Sequence, residues 1–275
     1  MEVKMTVKKF VTIFLLTVFI GILGLCIFMI VHYYKEIKLE ETTKQENELI
    51  TPTPEPTSTP TPTPSPEPTK AAEEGPDYMS MFYYEEINDT VAARIKGKSY
   101  AEDATIPLSD LRYCHIMHYG FDNNVHEGEL IVNKVIADSV IEIFRELFEI
   151  EYPIEKMVLI DEYDASDEAS MSDNNSSAFN FRFISGTTTL SNHAKGLAID
   201  INPRYNPYIY TNKNGDTVVE PANGQPFVNR NSSMRYFINK NDEIYCIFIS
   251  HGFTWGGDWE TKKDYQHFEY SVPTE

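Results

Sequence analysis

Two short stretches of this 275-residue chain carry the residue types that hydrolytic chemistry needs. The first is Ser191-Asn192-His193-Ala194-Lys195-Gly196-Leu197-Ala198-Ile199-Asp200, and the second is Asp264-Tyr265-Gln266-His267-Phe268-Glu269. His193, Asp200 and His267 offer two nitrogen donors and one oxygen donor, the three protein ligands that a catalytic zinc site combines with one open position. Zinc in such a site brings the pKa of a water down to about 7, and a neighbouring carboxylate takes its proton as it attacks a carbonyl. Asp264, three residues before His267, is the candidate for that base. The same donor set also suits iron or manganese, so residue types alone leave the divalent ion open.

These side chains need elements that hold them. His193 and Asp200 are separated by Gly196 and followed by Pro203, a pattern that suits a loop running into a short strand. Tyr265 to Val272 is rich in aromatics and reads as the last strand, with Glu269 on the same face as His267 and serving either as its partner or as a surface residue. Leu111 to Phe121 alternates like a strand and ends at the turn signal Asp122-Asn123-Asn124. A helix capped by Asn133 is expected next, because Ile136, Val140, Phe144 and Leu147 recur on one face and Pro153 lies beyond its end. Met157 to Asp161 reads as a buried strand, Ala165 to Ser177 as a polar loop, and Met234 to Ser250 as a helix ended at His251-Gly252. Strands and helices do not alternate regularly, so the expected fold is α+β, a mainly antiparallel sheet flanked by helices.

Other histidines and aromatics near these motifs have plainer readings. His115 and His118 are three apart in a strand and point to opposite faces, so they are not expected to share a metal. His126 and Glu129 are read as loop and first-turn residues before the helix. Trp255, Trp259 and Tyr205 either wall a substrate groove or belong to local core.

The composition changes sharply along the chain. Residues Phe10 to Val31 are 22 consecutive uncharged, mostly apolar positions, enough to cross a bilayer core of roughly 30 Å. A cleaved signal peptide is the alternative, but its apolar core is shorter and no small-residue cleavage site follows. Lys4, Lys8 and Lys9 precede the span, which orients the N-terminus inside and exports the rest. Residues Thr51 to Thr69 alternate Thr or Ser with Pro, a polyproline-II-like spacer of roughly 60 Å. The organisation read from this is a cytoplasmic tail at 1–9, a transmembrane signal anchor at 10–33, a Pro/Thr-rich linker at 34–75 and a single catalytic domain at 76–275.

The formal charge is −19, and beyond residue 75 there are 32 acidic and 16 basic residues. Such a surface repels nucleic acid and anionic lipid, so no nucleic-acid partner is expected, and the domain reads as a monomer. Cys26 falls within the apolar span, leaving Cys114 and Cys246 either as one disulfide or, the favoured reading, as two unpaired thiols.

The pattern Ser191-x-His193-x-x-Gly196-x-Ala198-x-Asp200 followed by Asp264-x-x-His267 resembles the M15 family of zinc peptidases, the D-alanyl-D-alanine carboxypeptidases and related cell-wall endopeptidases. The resemblance covers roughly residues 105 to 272 and includes Arg182 upstream, within Asn180-Phe181-Arg182. It implies one zinc ion held by His193, Asp200 and His267, with Asp264 as general base. It further implies that Arg182 stabilises an oxyanion or holds a substrate carboxylate, and that Ser191 lies at the rim and hydrogen-bonds a ligand. The endopeptidase-like branch has Asp where the carboxypeptidase branch has Glu, so Asp264 leaves the bond cleaved open between a terminal D-alanine and an internal stem bond.

The expected function is therefore a membrane-anchored, extracytoplasmic zinc metallopeptidase acting on peptidoglycan stem peptides. The rivals are a non-catalytic zinc-containing wall-binding or sensor module and a simple wall tether. The retained Asp264 argues against a module that needs only the metal.

Overall fold

The computed structural model describes residues 76–184, 187–231 and 234–272. The apolar span and the Pro/Thr-rich linker lie outside these residues. Among the described residues no helix is long and apolar enough to cross a membrane.

Alternating apolar positions make the first sheet. Strand β2 (Leu111–Tyr119) pairs antiparallel on one side with β1 (Tyr83–Glu86) and on the other with β3 (Val125–Asn133). The β2–β3 turn forms where the Asp-Asn-Asn signal predicts it: Asn123 takes a left-handed φ of 59°, and Asp122 Oδ1 accepts from Asn124 N–H at 3.1 Å. One face of β2 and β3 is covered by helix α2 (Ala137–Glu149), preceded in the chain by the short helix α1 (Asp89–Ile95). Val140, Phe144 and Leu147 of α2, with Ile136 just before it, are buried against Ile116, Leu130 and Val132. Each such side chain contributes about 1.5–3 kcal/mol by leaving water.

The expectations failed where side chains satisfied the backbone in unforeseen ways. Asn133 is the last residue of β3 rather than a helix cap; its Oδ1 accepts from Val135 N–H and its Nδ2 donates to Lys195 O. His126 and Glu129 lie on β3, not in a loop and first turn. Met157 to Asp161 is buried but is not a strand, since Asn175 Oδ1 accepts from Val158 N–H, and a 3₁₀ turn begins at Ile160. The predicted helix from Met234 forms only over Glu243–Ser250, because Asn241 has a left-handed φ of 71° that interrupts the turns before it. Its end at His251-Gly252 is as expected, with Gly252 at φ 85°. Within the Ala165 to Ser177 loop, Asp167–Ser172 forms helix α3, capped by Ser166, and Glu243–Ser250 is α4.

The second sheet carries the chemistry. Its order is β4 (Ala198–Asp200), β9 (His267–Tyr270), β7 (Phe253–Trp255), all antiparallel, with β9 central. Its inner face is locked to α4 by Phe248, whose ring stacks on Phe268 at 3.9 Å. A third sheet, β6 (Thr217–Glu220), β5 (Tyr208–Thr211), β8 (Lys263–Asp264), adjoins it in sequence through β8. Antiparallel sheets with a few helices agree with an α+β class.

Candidate metal centre

His193 opens a 3₁₀ turn, His193–Lys195, that ends at Gly196. Gly196 has a φ of 66°, and a Cβ there would meet Asn133 N at 2.6 Å, so only glycine allows this turn to dock on the end of β3. Ser191 Oγ accepts from His193 N–H at 3.2 Å and fixes the turn's start. His193 Nδ1 donates to Ala178 O at 2.6 Å, which leaves Nε2 as a free donor atom facing inward.

Asp200 reaches the same point from the adjoining strand. It is the cross-strand partner of His267 in the β4–β9 pair, so both side chains project to one face. His267 Nδ1 lies 3.0 Å from Asp200 Oδ1 and 3.2 Å from His193 Nε2, and His193 Nε2 lies 3.2 Å from Asp200 Oδ2. One donor atom from each residue falls within 4.8 Å of the others, and all three residues are buried. Two imidazole nitrogens and a carboxylate converging in this way fit a zinc ion with an open fourth position.

The partners behind the donors set their tautomers. His267 Nε2 faces Glu269 Oε2 at 3.2 Å, and Asn192 Nδ2 donates to the same oxygen at 2.7 Å. A proton held on Nε2 by Glu269 leaves Nδ1 free to bind metal. Asn192 carried no signal in the sequence beyond its place beside His193.

Asp264 sits against the centre through Gly256. A Cβ at Gly256 would lie 2.8 Å from Asp264 Cβ and 3.3 Å from His267 Cβ, so glycine lets these two residues close on the same spot. Asp264 Oδ1 is buried with no hydrogen-bond partner among the described residues. Burial pushes its carboxyl up to about 7, with the Asp200 charge adding to the rise and His267 and Gln266 opposing it. For His267 burial disfavours the cation, yet Asp200 and Glu269 outweigh it and raise the imidazole to about 10 in the absence of a metal. Asp200 is penalised by burial but held well below the usual carboxylate range by the two imidazoles.

The other candidates are spread more widely. Arg182 pairs through Nε with Asp167, whose other oxygen accepts from Asn180 Nδ2 at 2.9 Å, and its backbone carbonyl accepts from Ser191 N–H. Ser191 is buried at 6% exposure beneath the His193 turn. The Trp259 ring packs against the His267 ring at a tilt, 5.5 Å between centres, whereas Trp255 is core and Tyr205 packs on Phe121, Phe227 and Tyr236. His115 stacks on Tyr83, while His118 is buried toward His126, with burial lowering its pKa to about 4. Cys114 and Cys246 are unpaired, the first buried and the second exposed.

Residues 185–270 match the family model described as D-alanyl-D-alanine carboxypeptidase. The match supports an M15 family peptidase. It spans Ser191, His193, Asp200, Asp264 and His267 and begins after Arg182, so it is narrower than the resemblance read from the sequence. Members of the M15 family are zinc peptidases, which agrees with the buried His-Asp-His group. No curated protein and no solved structure matches the chain.

Proposed function

We propose that the chain is an extracytoplasmic zinc metallopeptidase, anchored by its N-terminal apolar span, that hydrolyses an amide bond in peptidoglycan stem peptides. The observation that carries this reading is the buried convergence of His193 Nε2, Asp200 and His267 Nδ1 beside the unpartnered Asp264 Oδ1. A zinc ion held there supplies Lewis-acid polarisation of the scissile carbonyl and of water.

The chain's own groups do the rest. Asp264 accepts the proton of the attacking water at Oδ1 and returns it to the departing amine. Glu269 and Asn192 hold His267 in one tautomer and orientation. Arg182 stabilises negative charge on the substrate, and the Ser191 hydroxyl oxygen, by accepting from His193 N–H, fixes the turn that presents His193.

The test is to incubate the zinc-loaded full chain, in detergent, with muropeptides carrying tetra- and pentapeptide stems and read the products by mass. Loss of one D-alanine, or a split stem, supports the reading and names the bond. No product from any stem, with one zinc bound per chain, overturns it in favour of a zinc-containing binding module.

A further inference from the structure

Beside the metal centre lies a cation with no assigned role. Lys262 Nζ rests 4.4 Å from the centre of the Trp259 ring and 5.4 Å from that of Tyr208. Trp259 is the same ring that packs against His267, so one aromatic side chain separates the ammonium from a metal ligand. Tyr208 is the cross-strand partner of Asp264 in the β5–β8 pair, so the two project to one face of the sheet. Lys262 is thus tied by two rings to the two residues that flank the reacting carbonyl, His267 and Asp264.

Its partners are missing. Among the described residues Lys262 makes no ion pair and no side-chain hydrogen bond, while its neighbour Lys263 donates to Gly257 O and the nearby Lys240 pairs with Asp258. Arg182, the other cation assigned to substrate, pairs with Asp167 through Nε, whereas Lys262 has no carboxylate partner among the described residues. In a chain of net charge −19 an ammonium held over two aromatic faces without a carboxylate is ready to take one from a ligand.

We propose that Lys262 is a specificity-determining residue that binds a carboxylate of the substrate adjacent to the scissile amide. The proposal rests on the peptidase reading and narrows its substrate class to peptides with a free carboxylate next to the cleaved bond. Two sources supply that chemistry, the C-terminal carboxylate of the stem and an internal glutamyl carboxylate.

The zinc-loaded full chain and its Lys262→Met and Lys262→Arg variants are given four N-acetylated stem pentapeptides, with the C-terminus as acid or amide and the glutamyl carboxylate as acid or amide. KM and kcat are measured by mass, and binding by tryptophan fluorescence. The wild type is expected to favour one acid over its amide by roughly tenfold in KM, with little change in kcat, as a charge-assisted contact implies. Lys262→Met abolishes that preference and Lys262→Arg retains it; the pair that shows the preference identifies the carboxylate. Equal KM for acid and amide in the wild type, or a preference that survives in Lys262→Met, overturns the proposal. If no peptide is cleaved, the peptidase reading fails, and the binding arm still decides the role of Lys262. An acid preference in affinity lost only in Lys262→Met supports it, and its absence sinks it.

Discussion

Asp200 and His267 are direct cross-strand partners, and their side chains meet with Asp200 Oδ1 3.0 Å from His267 Nδ1. Strand pairing therefore does for this centre what a helical i,i+4 spacing does elsewhere: it puts two donors on one face at a fixed separation. The third donor, His193, arrives on a separate turn pinned to β3 by Gly196. The centre is as rigid as three backbone attachments can make it.

Replacing His267 with Gln should reduce bound zinc from one per chain to background. Glu269→Gln, which removes the charge behind His267 Nε2, should weaken zinc about 10–100-fold while leaving the stoichiometry at saturation unchanged. Competition with a chromophoric chelator measures both, and unaltered affinity in Glu269→Gln would contradict the tautomer argument.

Asp264→Asn keeps the shape of the side chain and removes its basicity. The expected outcome is a fall in kcat of about 10²–10⁴-fold with full zinc occupancy. Metal analysis alongside the kinetics separates this from loss of the site.

In the zinc-free protein the acid dependence has a defined sign. The Asp264 carboxyl, near 3.8 when unfolded and about 7 when folded, keeps a proton that the unfolded chain has released. Its contribution is therefore most favourable at low pH and declines as pH rises from about 4 to 7. His267, raised to about 10, stabilises the fold below its ordinary pKa and withdraws that support only as pH climbs toward 10. Thermal melts of zinc-free wild type and Asp264→Asn between pH 4 and 8 should diverge, the variant gaining relative to wild type as pH rises. Parallel profiles would rule out a raised carboxyl.

Gly196→Ala forces a left-handed φ on alanine and drives a methyl to 2.6 Å from Asn133 N. Left-handed backbone alone costs about 1–2 kcal/mol for such a residue. Urea denaturation should show at least that loss, and zinc affinity should fall with it because the His193 turn moves. A stable variant with native zinc affinity would show that the turn can dock elsewhere.

Periodicity gave the local parts that depend on neighbours in the chain. The β2 strand, its Asp-Asn-Asn turn and the buried face of α2 were all legible, because each follows from a repeat of two or 3.6 positions. Strand β3 was missed because Glu127, Gly128 and Glu129 break its apolar alternation; Glu129 is satisfied on that strand by a bidentate ion pair with Arg94, a partner 35 residues away. The helix expected from Met234 was shortened by one left-handed asparagine that composition does not mark.

The donor chemistry was already present in the residue types: two imidazoles, an aspartate and a further carboxylate, in an order that resembles one peptidase family. Those are properties of residue type and spacing, and they survive any fold. The folded chain was needed to show that Asp200 faces His267, that Asn192 joins Glu269 behind that ring, and that Lys262 lies over Tyr208 as well as Trp259. The reason is that these contacts join segments far apart in the chain, 67 residues between Asp200 and His267 and 77 between Asn192 and Glu269, and no local periodicity encodes them.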